Sequence, residues 1–298
     1  MVDNVFGVFG APQKALHLHI EEAKKAPKHI GQDYVVMEKF DGWFMYIDCI
    51  SGVWQGVRSK TGRLLPSMAK YSQAFADGPK PNQDIRLIFE AVIPGMIFKD
   101  ANGKFNAKAE LPLGAVILKA HDILFARYPY TAFEKRYDRL ESVVSYLKHP
   151  WLELVEILYI GSNTEVWKRH FETIVARRGE GVILKQLYHA YEAGKRNANL
   201  MKIKCELTLD LLVIGVAPGL KGTKYENTLG ALVVQEKSGQ EHQVSGMSDQ
   251  QRAEWWSDPS SIIGRIVEID AMLRLPNGSL REPRFKAVRY DKTMEDRD

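Results

Sequence analysis

The stretch VVMEKFDGWFMYID, residues 35–48, sets Glu38, Lys39, Asp41 and Gly42 between two apolar runs rich in β-branched and aromatic residues. Val35 and Val36 lie on one side; Trp43, Phe44, Tyr46 and Ile47 lie on the other. Such runs read as strands, and the D-G between them as the turn that joins them. A lysine at that corner bears on function as well as fold. A free lysine amine has a pKa of about 10.4, so at neutral pH only about one in a thousand is a nucleophile, a handicap of roughly 4 kcal/mol. Neighbouring cations reduce that handicap, because they disfavour a second ammonium. Taken alone, K-x-D-G is a weak pattern, and an isolated lysine beside carboxylates is ordinarily a strand-end ion pair. The rest of the chain decides its meaning.

Residues 85–93 (IRLIFEAVI), 114–125 (GAVILKAHDILF), 180–187 (EGVILKQL) and 199–207 (NLMKIKCEL) read as further strands. Residues 132–149 carry Phe133, Tyr137, Leu140, Val144 and Leu147 at helical spacing. Residues 163–179 repeat the pattern, with Asn163 as a cap and Gly179 as a stop. APQKALHLHIEEAKKA, residues 11–26, is expected to be a helix with lysines toward its end. After about residue 207 the character changes to short strands separated by turn-rich loops. One helix interrupts them, near SDQQRAEWW, where Ser248 and Gln251 are spaced as a capping box. Several strands and one helix in that length predict a small five-stranded barrel of the OB kind. The expected domains are residues 1–207 and 208–298.

The 298-residue chain is mildly basic, at +4 with pI about 8.8, which permits a polyanionic partner. The N-terminus has no signal-peptide pattern and no run is long and apolar enough to span a bilayer. Cys49 and Cys205 form neither a CxxC pair nor a disulfide framework, so a reducing, cytoplasmic setting is expected.

Three further clusters place charge in strand context. Glu90 sits inside an otherwise apolar strand, where a carboxylate is costly without a partner. Glu180 opens E-G-V-I-L-K, and alternation puts Gly181, Ile183 and Lys185 on one face. Lys202 and Lys204 are two apart, so both emerge on one face, an arrangement that repels itself unless a polyphosphate lies in front of it.

In this order, K-x-D-G, a strand glutamate, E-G-[VI]-[VI]-L-K, K-x-K and a small barrel resemble the covalent nucleotidyltransferases. More closely, the chain resembles minimal ATP-dependent DNA ligases of the bacteriophage type. RSKTG (58–62) is similar to their arginine-bearing motif, and NGSLREPRFKAVRYDK (277–292) to their C-terminal motif. The resemblance implies an α+β fold, with an adenylation domain of antiparallel sheets flanked by helices followed by an OB-fold barrel. It implies that Lys39 attacks ATP to give lysyl-AMP, that AMP passes to the 5′-phosphate of nicked duplex DNA, and that the 3′-hydroxyl then seals the strand. ATP and Mg²⁺ (or Mn²⁺ in its place) would be the cofactors, and the enzyme a monomer. The implied nucleotide-binding residues are Glu38, Asp41, Gly42, Arg58, Glu90, His121, Lys185, Lys202 and Lys204. Glu90 and Glu180 would hold the metal. Lys195, Arg196, Arg284, Arg289, Asp291 and Lys292 would contact DNA or the leaving pyrophosphate, the C-terminal four when the domains close.

This sequence departs from the family pattern in four places. Phe44 stands where K-x-D-G-x-R has arginine, and Ile88-Phe89-Glu90 replaces D-G-E. His121 takes the place of the stacking aromatic residue, and no tryptophan precedes K-x-K. RNA ligases and mRNA-capping guanylyltransferases of the same superfamily are the alternative reading. The capping enzymes rely on the arginine that Phe44 replaces. GLKGTK (219–224) lacks the phosphate-loop pattern and is read as a barrel loop.

Overall fold

A computed structural model describes residues 6–18, 32–96, 98–177, 179–204, 207–274 and 277–298. The chain divides into two compact units, Met1–Lys204 and Cys205–Asp298. The strands and helices of the first unit, in chain order, are β1 (Lys14–His17), β2 (Tyr34–Lys39), β3 (Trp43–Ile50), β4 (Val53–Trp54), β5 (Arg58–Ser59), α1 (Ala69–Asp77), β6 (Ile85–Val92), α2 (Phe98–Asn106), β7 (Ile117–Phe125), α3 (Phe133–Leu147), β8 (Leu152–Leu154), β9 (Ile157–Gly161), α4 (Thr164–Ala176), β10 (Gly181–Gln186) and β11 (Arg196–Lys204).

They form two sheets, ordered β1-β11-β10-β2-β9 and β4-β3-β6-β7-β8, with β5 paired to β3. Most pairs are antiparallel; β1–β11 and β7–β8 are parallel. The main core lies on one face of the second sheet. There Met45, Ile47, Leu87, Phe89, Leu118 and Ala120 meet Tyr71 and Phe75 of α1 and Leu140 and Leu147 of α3. The first sheet is covered on one face by α4, whose Asn163 cap accepts from Glu165 N and whose Trp167 stands edge-on to Tyr34, ring centroids 5.3 Å apart. On the other face Val35 and Met37 pack with Phe133, Val155 and Leu187. Burial on both faces explains why β2 begins as a continuous apolar run rather than an alternating one.

The helix expected over 11–26 is corrected: residues 14–17 form strand β1, and residues 19–26 lie outside the described residues. The cause is tertiary. The backbone of this segment pairs with β11, with Lys14 N donating to Lys195 O and Leu18 N to Lys202 O. A packed sheet edge of this kind outweighs the modest helix propensity of Ala, Leu and Lys.

The second unit contains β12 (Leu207–Pro218), β13 (Leu229–Gln235), β14 (Glu241–Val244), α5 (Asp249–Ser257), β15 (Ile266–Ala271), β16 (Leu273–Arg274), β17 (Leu280–Arg281) and β18 (Arg284–Val288). Five of these strands run in the order β14-β13-β12-β15-β18. Phe285 N donates to Ser245 O, so the two edges of the sheet meet beside β14 and close it into a barrel. Leu211, Val213, Leu232, Val234, Val267 and Ile269 fill the interior, and Trp255 of α5 packs into it against Phe285. The capping box of Ser248 and Gln251 starts α5 as its spacing predicts.

Candidate active site

The site is built by strand register. Lys39 of β2 lies opposite Gly181 of β10, and Gly181 lies opposite Lys204 of β11. Met37, Ile183 and Lys202 form the next row on the same face, and Val35, Lys185 and Leu200 the row after that. Directly opposed residues in antiparallel strands point to one side of the sheet, so Lys39, Lys185, Lys202 and Lys204 share a face. Glycine is required at position 181. Its φ is +144°, and an added Cβ would lie 2.1 Å from Ile203 O.

The second sheet supplies the facing wall. Phe44 of β3 is opposite Glu90 of β6, which is opposite Lys119 of β7. Gly42 answers the question raised by K-x-D-G: a Cβ there would approach Ala91 O to 2.6 Å and Glu90 Cγ to 2.7 Å. The turn therefore packs directly onto the glutamate strand, which brings Lys39 and Glu90 to one place. His121 is the extra residue of a bulge in β7, since Phe89 pairs with Ala120 and Ile88 with Asp122. Bulges re-aim a side chain, and this one turns His121 into the cavity.

A cavity of about 260 Å³ results, lined among others by Lys39, Phe44, Lys60, Glu90, His121, Lys185 and Lys202. Lys39 Nζ lies 2.5 Å from Glu180 Oε2, and these side chains are 20% and 9% exposed. Burial, followed by the like charges of Lys39 and Lys204, pushes the Lys202 amine down, which records how closely the ammonium groups are crowded. Burial pushes the Glu90 carboxyl up to about 8; Lys39 opposes the shift, and Glu180 and Asp41 add to it. Deeper in, Lys185 Nζ donates to His121 O at 2.6 Å and to Asp122 Oδ2 at 3.0 Å, above the Phe133 ring. Arg136 grips the same carboxylate through Nε at 2.8 Å and Nη2 at 3.1 Å. Burial alone would raise Asp122, but the Arg136 and Lys185 charges outweigh it and hold the carboxyl well below its usual range. Burial brings Lys185 down to about 8, and burial together with Lys185 brings His121 down to about 3, so the imidazole is neutral.

Not every expected residue lines the cavity. Glu38 does, while its carboxylate pairs with Arg177 at 2.5 Å. Arg58 does not: its Nη1 donates to Gly62 O at 2.8 Å. Two residues on, Lys60 does, its Nζ 5.8 Å from the centre of the Phe44 ring. Lys60 thus brings a cation to the wall where Phe44 has none to offer. Lys60 follows β5 in a turn closed by Gly62 N donating to Ser59 O at 2.9 Å, so no strand alternation in RSKTG could single it out. Asp122 and Arg136 were also missed; a carboxylate inside AHDILF and an arginine inside an amphipathic helix were the available hints. Arg196 reaches the cavity rim and Lys195 is exposed beside it. In the second unit, Arg284 pairs with Glu282 at 3.2 Å, Arg289 with Asp291 at 2.6 Å and Lys292 with Asp210 at 2.5 Å.

Glu90 makes the site's pH response predictable. Its folded pKa of about 8 exceeds the ordinary 4.5, so the stability gained by keeping the proton is full below 4.5 and lost as pH rises through 8. Glu90→Gln cannot ionise and should flatten that decline, which amounts to on the order of 1 kcal/mol per pH unit within the window. Melting curves of both proteins from pH 5 to 9 test this, and parallel pH profiles would refute it.

Two facing sheets, a strand-end lysine in a cationic cleft and a following barrel are the architecture of the covalent nucleotidyltransferases. Residues 94–204 match the family described as ATP dependent DNA ligase domain, and residues 221–289 match DNA ligase OB-like domain. The chain belongs to the ATP-dependent DNA ligase family. It is 33% identical over 264 residues to DNA ligase 4 of Saccharomyces cerevisiae, covering 78% of this chain and 27% of that protein. DNA ligase 4 of Kluyveromyces lactis is 24% identical over 245 residues, covering 70% of this chain and 26% of that protein. The chain thus spans about a quarter of the length of the curated relatives it matches. The fold is shared with a Lig E DNA ligase, at TM-score 0.67 and 20% identity over 94% of this chain and 99% of that one. It is also shared with the ATP-dependent DNA ligase of bacteriophage T7 in complex with ATP, at TM-score 0.54 and 19% identity over 93% and 98%.

Proposed function

We propose that this chain seals nicks in duplex DNA at the expense of ATP, with Met1–Lys204 as the adenylating unit and Cys205–Asp298 as its OB-fold partner. The observation that carries this reading is Lys39 Nζ, 20% exposed in a cavity whose wall adds Lys60, Lys185 and Lys202. Lys39 Nζ forms the bond to the α-phosphorus of ATP as the bond from that phosphorus to the bridging oxygen breaks, and pyrophosphate leaves. Glu180, 2.5 Å away, is placed to orient the amine and take its proton. Lys60 and Lys202 neutralise the charge that develops on the phosphoryl oxygens, and positioning and electrostatics carry a transfer of this kind. His121 and Ile183 flank the space for the base. AMP then passes to the 5′-phosphate of a nick, and attack by the 3′-hydroxyl releases it.

The residues suit a Mg²⁺ shared with phosphate. Glu180 and Asp41 lie close enough to Glu90 to shift its carboxyl upward, while no group of three or more ligating side chains among the described residues would cage an ion alone. Glu90 and Glu180 would hold the ion, which when bound supplies charge neutralisation for the phosphates, consistent with its preference for one or two carboxylates plus substrate oxygen. No described helix is long and apolar enough to cross a membrane. The partner is nicked duplex DNA, the enzyme a monomer and the compartment cytoplasmic.

Incubation with α-³²P-labelled ATP or GTP, followed by denaturing electrophoresis, tests the nucleotide. Sealing of nicked DNA beside an RNA control tests the acceptor. Label from ATP and joining of DNA are expected; label from GTP alone would overturn the reading in favour of capping.

A further inference from the structure

The side chain of His121 is held in one tautomer by its neighbours. Lys185, with its pKa about 8, is still an ammonium at neutral pH and has three protons to donate. Three acceptor positions surround it: His121 O at 2.6 Å, Asp122 Oδ2 at 3.0 Å and His121 Nδ1 at 3.3 Å. An ammonium has no lone pair, so Nδ1 faces it with a lone pair of its own. The ring is neutral, because burial and Lys185 bring it down to about 3. A neutral imidazole with a bare Nδ1 carries its proton on Nε2. Lys185 is itself pinned by Asp122, which Arg136 grips from another side, so the tautomer is fixed before any ligand enters.

The direction of that proton follows from the ring. Nδ1 and Nε2 point away from one another, and Nδ1 is turned back toward the buried Lys185. Nε2–H is left on the other side, and His121 is half-buried on the cavity wall, where the β7 bulge carries it. No acceptor for Nε2 is present among the described residues. The Phe44 ring stands beside it with centroids 6.2 Å apart and planes at 55°, so the two rings do not form one continuous stacking face. A hydrocarbon ring at this place would offer a face and nothing directional. His121 adds a donor on its edge.

We propose that His121 is a specificity-determining residue that reads the base by its edge, with Nε2–H donating to a bare ring nitrogen of the purine. This rests on the lysyl-AMP reading above. An analogue in which that nitrogen is replaced by C–H leaves the donor unpaired, a loss worth about tenfold in a site built to hydrogen-bond its ligand.

Self-labelling by ATP and by its 1-deaza, 3-deaza and 7-deaza analogues tests this, in wild type and in His121→Phe, which keeps a ring and removes the donor. Wild type should show a KM raised about tenfold for at least one analogue. His121→Phe should raise KM for ATP itself by a similar factor and lose that analogue's penalty, since the two changes remove the same bond. Penalties equal in both proteins for all three analogues would overturn the inference and leave the site reading intact. ¹⁵N NMR of the nucleotide-free wild type at pH 7, with His121 identified by its absence in His121→Phe, reads the tautomer directly. A bare Nδ1 and protonated Nε2 are expected; the opposite tautomer or an imidazolium would overturn the inference without any nucleotide. A wild-type chain that takes no label from ATP would sink the lysyl-AMP reading and the base contact with it.

Discussion

Lys39→Ala is expected to abolish labelling of the protein by ATP and to cut nick sealing from ATP below about a thousandth of wild type, the scale on which removing a nucleophile acts. The reason is stoichiometric: without the amine no bond to the α-phosphorus forms, and none of the crowded neighbours replaces it. Lys202 and Lys60 line the same cavity, but Glu180 pairs with Lys39. DNA binding should be nearly unchanged, because the variant removes one side chain that is only 20% exposed. Sealing from ATP at more than a few per cent of wild type would move the nucleophile to another lysine. Mass measurement of the adenylated wild-type peptide would identify which one.

Asp122→Ala is expected to produce the largest loss of stability. It removes the shared acceptor of Arg136 and Lys185, both buried, and leaves two cations without their counter-ion. Breaking a buried pair by deleting one partner costs about 3–5 kcal/mol. In a domain of this size that lowers the melting temperature by roughly 10 °C. The sign with pH follows from the depressed Asp122 carboxyl. Its contribution is present above the ordinary carboxylate range and is lost as pH falls toward the lower folded value, so variant and wild type should converge in acid. Urea unfolding followed by tryptophan fluorescence at pH 7 and pH 3 measures both terms. A loss under about 1 kcal/mol at neutral pH would show that the cluster relaxes or hydrates.

The two predictions probe different layers of one site. Lys39, 20% exposed, stands at the open end, which the proposed reading gives to the substrate. Asp122, Arg136 and Lys185 form the closed end, where each polar group satisfies another. Lys185 belongs to both descriptions: the resemblance assigns it to the α-phosphate, while its ammonium bonds His121 O and Asp122. Its depressed pKa, about 8, marks the tension between burial and its carboxylate partner.

The sequence by itself determined the strands at 34–39, 85–92 and 181–186, the helices at 133–147 and 164–176, and the barrel helix with its cap. It also singled out Lys39, Glu180, Lys185 and Lys202 as candidates to carry the chemistry. These are local signals, written in period-2 and 3.6-residue patterns and in caps within a few positions of the residues they organise. Only the tertiary structure decided that residues 14–17 join a sheet rather than a helix, that Lys60 and not Arg58 faces the cavity, that a bulge turns His121 inward, and that Asp122 meets Arg136 and Lys185. Each of these depends on cross-strand register and on two sheets facing one another, and so on contacts between residues far apart in the chain. A shift of one residue in register would exchange every side chain between core and cavity, which local pattern alone does not fix.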